Sequence, residues 1–441
     1  MSAIIHSRDP TARRGISGRD FRAGFPRSDS DRTKCLVKLR RLPEDFRVEE
    51  LTSVRGDGGA FALYRLCKRS IGTPEVIHAI VDRWRVPRQR ISYGGLKDRH
   101  AVTVQYLTIH RGPKQGLTQK SFEVEYLGQT SEPFTSAAID RNRFILVLRD
   151  LSEAETAAAI GQVPEISAVG LPNYFDDQRF GSFGKSGEWI GRAWCLGDYE
   201  RALWLALADP HPDDSSDEKR QKQLLQSGWG HWPECKRELA RSHRRSIVTY
   251  LSDKIQAGRP ADFRGAFARI SVDLRGLYLS AYQSALWNRL LSRCFEYEAA
   301  RQAGGVARIS FPLISGPCTC LTGLTDDQAA VLQSLQLPLP SARIDRPEGI
   351  VGELLDEVLR EEQIELRQLR VKYPRDSFFS RGTRAAIVPP ANLSAVADAD
   401  DLHPGRRLLT LSFDLPRGSY ATILVKRLTC GPVPATPHDR K

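Results

Sequence analysis

The sequence predicts an α+β fold, a mostly antiparallel mixed sheet interrupted by a largely helical α/β insertion. Three observations carry this. Period-two alternation occupies both ends of the chain, helical periodicity fills the middle, and 441 residues exceed one ordinary core. The expected organisation is a disordered basic arm over 1–33, a sheet domain assembled from 34–170 and 380–430, an inserted domain over 171–379, and a flexible tail over 431–441.

The arm is rich in Arg and Ser but lacks the apolar stretch of a secretory signal. Asp9, Asp20, Asp29 and Asp31 argue against a transit peptide. Alternation from Cys35 to Leu39, a break at Pro43 and resumption at Phe46 and Val48 read as strand, turn, strand. "GDGG" at 56–59 reads as a hairpin turn, and "AFALYRLCKRS" continues the sheet. Thr73-Pro74-Glu75 opens a helix with Ile77, Ile80, Val81 and Trp84 on one face. Ile91 and Tyr93 then lead into Gly94-Gly95, the triplet Lys97-Asp98-Arg99, and a strand from Val102 to Ile109. "RFILVLRD" at 143–150 is apolar on both faces, as in a central strand, and Ser152 with Glu155 forms a capping box.

The middle changes character. "HPDDSSDEKRQKQ" at 211–223 reads as an exposed charged loop. A basic helix is expected from Glu234 to Ile255, carrying Lys236, Arg237, Arg241, Arg244, Arg245 and Lys254, either as an RNA-facing surface or as a solvated face. A longer helix from Leu277 to about Ala300 places Leu279, Tyr282, Leu286 and Leu290 on its apolar side. "EGIVGELLDEVLREE" is a further helix, after which "RLLTLSFDLP" and "SYATILVKRL" return to strand-like alternation.

Composition narrows the function. Lys plus Arg number 65 against 53 Asp plus Glu, a net charge of +12, which suits a polyanionic partner such as nucleic acid, with plain solubility charge as the alternative. No run approaches the roughly 20 apolar residues that span a membrane. The eight cysteines include no C-x-x-C pair, so neither a disulfide framework nor a metal site is expected, and a reducing cytoplasm is. The nearest approaches to a metal motif are Cys318 with Cys320 and His231 with Cys235, neither repeated elsewhere. His100 and His110 bracket a strand without a partner pattern, and "GSFGKSG" at 181–187 lacks the ending of a nucleotide-binding loop.

Asp98 is the residue that raises a chemical question. Beside two glycines it suits a turn, but an acid set between Lys97 and Arg99 also suits a nucleophile or base, with Gly94 and Gly95 allowing a substrate to approach the backbone. The surrounding "GGLKDRHAVTVQ" resembles the signature G-x-K-D-[RK]-x-A-x-T-x-Q of the TruD family of pseudouridine synthases. "LPEDFRVEE" at 42–50, "NRF" at 142–144, "LPNYFDDQRFG" at 171–181 and "LPRGSYATILVKRL" at 415–428 resemble that family's other motifs, in order. The resemblance covers roughly residues 36–430.

It implies a pseudouridine synthase catalytic domain interrupted by the family's TRUD insertion, acting on RNA without a cofactor as a cytoplasmic monomer. The implied substrate is tRNA, most directly at uridine 13. Broader RNA substrates, or an RNA-binding protein without activity, are the alternatives. By motif, Asp98 is the essential acid, attacking C1′ or C6 or abstracting a proton. Phe144 stacks on the target base, Asn142 fixes the site, and Phe46, Asn173 and Tyr420 line the same pocket. Arg40, Lys97 and Arg99 are the possible charge partners of Asp98. Arg40 stands where the family usually has Lys, a change that keeps charge but not geometry.

Overall fold

The N-terminal alternation is realised as strands β1 (Phe46–Leu51), β2 (Phe61–Arg69), β3 (Ile91–Tyr93), β4 (Val102–His110), β5 (Leu117–Gln119), β6 (Phe122–Thr130) and β7 (Arg141–Leu151). The C-terminal strands β8 (Ala391–Ala399) and β9 (Arg407–Pro416) complete a nine-stranded sheet. This computed structural model describes residues 41–301 and 306–430, so the arm, the Cys35–Leu39 strand, Arg40 and the tail lie outside the described residues. Strand order is β8-β9-β7-β1-β4-β2-β6-β5, with β3 on β4. Within this sheet every pairing is antiparallel except β1 with β4.

That order corrects one local reading. "GDGG" does not close a hairpin, because β4 lies between β1 and β2. The loop instead docks on the end of β6, where Asp57 and Gly58 donate their N–H groups to Gln129 O and the Asp57 carboxylate accepts from Ser131.

Four helices organise the rest: α1 (Thr73–Trp84), α2 (Glu153–Gly161), α3 (Val272–Arg301) and α4 (Ala421–Thr429). Cross-strand register shows which face of the sheet α1, α2 and α4 cover. Lys68 opposes Thr103, Thr103 opposes Val48, Val48 opposes Phe144, and Phe144 opposes Phe413, so these five side chains form one row on one face. One end of that face packs under α1 through Tyr64, Leu66, Ile77, Ile80 and Leu107. The other packs under α2 and α4 through Phe144, Leu146, Phe413, Ala159 and Leu424. Helices on one face of a largely antiparallel sheet define the α+β class predicted from sequence.

The C-terminal segment departs from expectation. "ATILVKRLT" is the helix α4, not a strand. Its β-branched run imitates period two, yet Ala421, Leu424, Val425 and Leu428 are spaced to share one helix face, and all four join the sheet core. Two readings in the middle are also corrected. Part of the supposed charged loop is a helix, Ser216–Ser227, opened by a capping box between Ser215 and Glu218. The single basic helix is two, Trp232–Glu238 and His243–Gln256, the second capped by the Ser242 hydroxyl. Its cations engage their own surroundings: Lys236 pairs with Asp253 at 3.0 Å, Arg244 donates to Gln221, and Arg245 donates to Lys236 O. Among the described residues no framework of disulfides appears. Cys430 is disulfide-bonded, while Cys67, Cys195, Cys235, Cys294, Cys318 and Cys320 are free.

Candidate active site

The parallel step between β1 and β4 determines where chemistry can sit. It brings the loop before β4, which carries Asp98, to the start of β1, while the antiparallel partner β7 delivers Asn142 and Phe144 beside it. The chain leaving β9 then returns Ser419 and Tyr420, and α4 begins. Between them lies a cavity of about 220 Å³, lined among others by Phe46, Asp98, Asn142, Phe144, Gln178 and Tyr420. This volume is below the roughly 300–1,000 Å³ of drug-sized ligand pockets and suits one flat heterocycle.

Aromatic geometry shapes the floor. Phe144 stacks on Phe413 with centroids 5.5 Å apart at 21°, and Phe46 meets it edge-on at 6.4 Å and 76°. Burial pushes the Tyr420 phenol above its usual range, against the opposing charges of Arg179 and Arg384.

The two cations that flank Asp98 in sequence each pair with another acid. Lys97 turns inward, its side chain 14 % exposed, with Nζ 3.0 Å from Glu50 Oε1 and donating to Asn142 Oδ1 at 2.8 Å. That bond aims the Asn142 carbonyl at Lys97 and turns its NH₂ the other way. Arg99 points outward, 63 % exposed, and pairs with Glu75 at 3.2 Å. Asn173 is not in the cavity wall but behind it. Its amide donates to Ala385 O, and its Oδ1 accepts from Arg384 and from Ser419, which does line the cavity.

The Asp98 loop is tied down at several points. Gln105 donates to Gly95 O at 3.3 Å, and the Lys97 N–H donates to Thr73 Oγ1 at 3.1 Å. A Cβ at Gly94 would lie 2.4 Å from Ile139 Cδ1, so the glycine lets the loop pack closely on that side chain. Two charged residues that motif reasoning passed over complete the environment. Glu50 is buried, accepts the Tyr106 N–H at 2.9 Å, and is raised above the usual carboxylate range by burial, with Lys97 opposing. Lys68, on β2, is 1 % exposed and donates to Ile71 O, Asp98 O and Lys97 O at 2.8, 2.7 and 3.3 Å. Alternation could have found both, because each continues the apolar side of its strand: Phe46, Val48, Glu50 and Tyr64, Leu66, Lys68.

Among the described residues no group of His, Cys, Asp and Glu is arranged to hold a metal, and no helix is long and apolar enough to cross a membrane. A one-ring cavity with an aromatic floor, a carboxylate and an amide, set on an α+β sheet, is an arrangement that can hold a single extruded nucleobase.

The comparisons narrow that reading. The family profile of tRNA pseudouridine synthase D (TruD) matches residues 29–428. The chain is 28 % identical to a probable tRNA pseudouridine synthase D 2 of Methanocaldococcus jannaschii, covering 90 % of this chain and 92 % of the relative. It is 26 % identical to a tRNA pseudouridine synthase D of Aquifex aeolicus, covering 90 % and 99 %. The crystal structure of a TruD protein from Methanosarcina mazei superposes with a TM-score of 0.67 at 27 % identity, over 89 % of this chain and 93 % of that one. The chain belongs to the tRNA pseudouridine synthase D family and is an isomerase acting on RNA.

Proposed function

We propose that the chain converts uridine to pseudouridine at position 13 of tRNA, with Asp98 as the reacting carboxylate. The observation that carries this reading is convergence: Asp98, from the loop before β4, shares one cavity sized for a pyrimidine with Asn142 and Phe144 of β7. A base inside folded RNA must be extruded before its glycosidic bond can be reached, and an extruded uracil needs a flat apolar surface and polar groups for its edge. Phe144, which lines the cavity, supplies the surface. The NH₂ of Asn142, oriented by Lys97, supplies a donor for a uracil carbonyl.

In the proposed cycle the bond from C1′ to N1 breaks, the uracil turns within the cavity, C5 bonds to C1′, and the C5 proton is lost while N1 takes up one, so that the product is an isomer of the substrate. Asp98 engages the nucleotide while the base is detached, and no cofactor enters. Phe46 and Tyr420 are the side walls, and Asn173 supports Tyr420 through Ser419. Lys97 is assigned to Asn142 and Glu50, and Arg99 to Glu75. Residues 34–170 with 380–430 act as the catalytic part and 171–379 as an insertion that widens the grip on RNA, the protein working as a monomer in the cytoplasm. The excess positive charge supports an RNA partner.

Incubating the protein with unmodified tRNA transcripts and mapping pseudouridine at single-nucleotide resolution tests this. Modification confined to position 13 is the expected result. Modification elsewhere in tRNA would overturn the site assignment, and none in any RNA would overturn the reaction.

A further inference from the structure

We propose that Lys68 is the positioning residue that fixes the Asp98 loop, and that its ammonium group, not its bulk, does so. The inference rests on Asp98 being the reacting carboxylate. Lys68 occupies a core-facing position of β2, between apolar clusters on either side, where an aliphatic residue would fill the space without desolvating a charge. An ammonium has three donors and no acceptor. Here all three meet backbone carbonyls, those of Ile71, Lys97 and Asp98. No proton remains for a substrate, so Lys68 acts on the chain that carries the reacting groups. Two of its three acceptors belong to Lys97 and Asp98, so one clamp sets both the carboxylate and the side chain that orients Asn142.

The charge on the clamp is adjustable. Burial depresses Lys68 to about 8, the charges of Asp98 and Glu75 opposing and that of Lys97 adding to the depression. Thr103, its cross-strand neighbour on β4, and Phe122, its neighbour on β6, contribute no charge. The ammonium is therefore mostly present at neutral pH and lost as pH rises through about 8, when one donor of the clamp disappears.

Wild type and Lys68→Met are compared by single-turnover pseudouridine formation, by tRNA affinity and by amide hydrogen exchange over residues 95–101. A misplacement near 1 Å lowers a rate by about 100-fold, which is the loss expected for Lys68→Met. Affinity should stay within about threefold, because it comes from many phosphate contacts. The wild-type rate should fall above about pH 8, and this limb should be missing in the variant. Exchange at 95–101 should quicken in Lys68→Met. That readout needs no turnover, so a wild type that makes no pseudouridine would refute the function while leaving the clamp open to judgement. A variant rate within about threefold of wild type, or unchanged exchange, would overturn the proposal. If Lys68→Met does not fold, the wild type decides alone: protection at 95–101, corrected for intrinsic rates, must weaken between pH 7 and 9, and constant protection would refute the clamp.

Discussion

Phe144 serves the core and the cavity at once, and this governs how it can be tested. It is 8 % exposed, stacked on Phe413 and in a T-shaped contact with Phe46. Truncation to Ala would remove a buried ring and destabilise the sheet by about 3–5 kcal/mol, obscuring any effect on catalysis. Phe144→Leu preserves most of the volume and abolishes the flat surface. Stacking on one base is worth about 1–3 kcal/mol, so Phe144→Leu should slow single-turnover isomerisation by about 10- to 100-fold while melting close to wild type. Phe144→Tyr keeps the ring and should stay within a few-fold. Equal rates with Leu and Phe would remove the stacking role. Individual site residues were legible to different degrees. Asp98, Asn142 and Phe144 are visible through motif, whereas the inward Lys68 and Glu50 are visible only when strand alternation is applied to charged residues as strictly as to apolar ones.

Helix α4 is the element that closes the cavity, since Ala421 and Thr422 follow Tyr420 along its wall. It is anchored to the "YFDD" segment by charge. Lys426 donates to Asp176 at 2.7 Å and Asp177 at 2.8 Å, and Thr422 donates to Asp176 at 2.6 Å. Burial alone would depress Lys426, but the two aspartates outweigh it and hold the amine above its usual value. Asp176→Asn leaves Lys426 only Asp177 as a carboxylate partner in this anchor, and is expected to destabilise by about 1–3 kcal/mol. Denaturant melts would show it as a lower midpoint with unchanged slope, and an unchanged midpoint would show the anchor to be incidental. This helix also explains a limit on sequence reading. Nine residues with a Thr-Ile-Leu-Val run satisfy strand and helix periodicity alike, and tertiary burial of Ala421, Leu424, Val425 and Leu428 decides between them. The Ser216–Ser227 helix is misread as a loop from its charged composition, although the capping box at Ser215 and Glu218 marks its start.

Across the whole molecule, long-range ties hold the two ends of the sheet sequence together. Arg149 on β7 bonds Asp45 before β1 and Asp400 between β8 and β9, both at 3.0 Å, at the end of β7 away from Asn142 and Phe144. Burial would raise the Asp400 carboxyl, but the Asp150 and Leu402 N–H groups, His403 and Arg149 outweigh it and hold it well below the usual carboxylate range. A depressed carboxylate contributes stability that is present above its unfolded pKa, about 3.9, and lost as pH falls towards the folded value. Asp400→Asn should therefore be less stable than wild type at neutral pH, with the gap in thermal midpoint narrowing below about pH 4. A gap that persists at low pH would show that Asp400 acts through packing. These ties, like the parallel β1 and β4 pairing that creates the site, join residues far apart in the chain, and so were not legible in local patterns, although the sheet class itself was. Isomerisation at Asp98 in that site is the central claim, and tRNA carrying tritium at C5 of its uridines tests it most directly. Bond formation at C5 must expel that hydrogen. Wild type should release tritium stoichiometrically with one uridine per tRNA, whereas Asp98→Asn should bind the tRNA with similar affinity and release none. Release by Asp98→Asn within about tenfold of the wild-type rate would contradict the account.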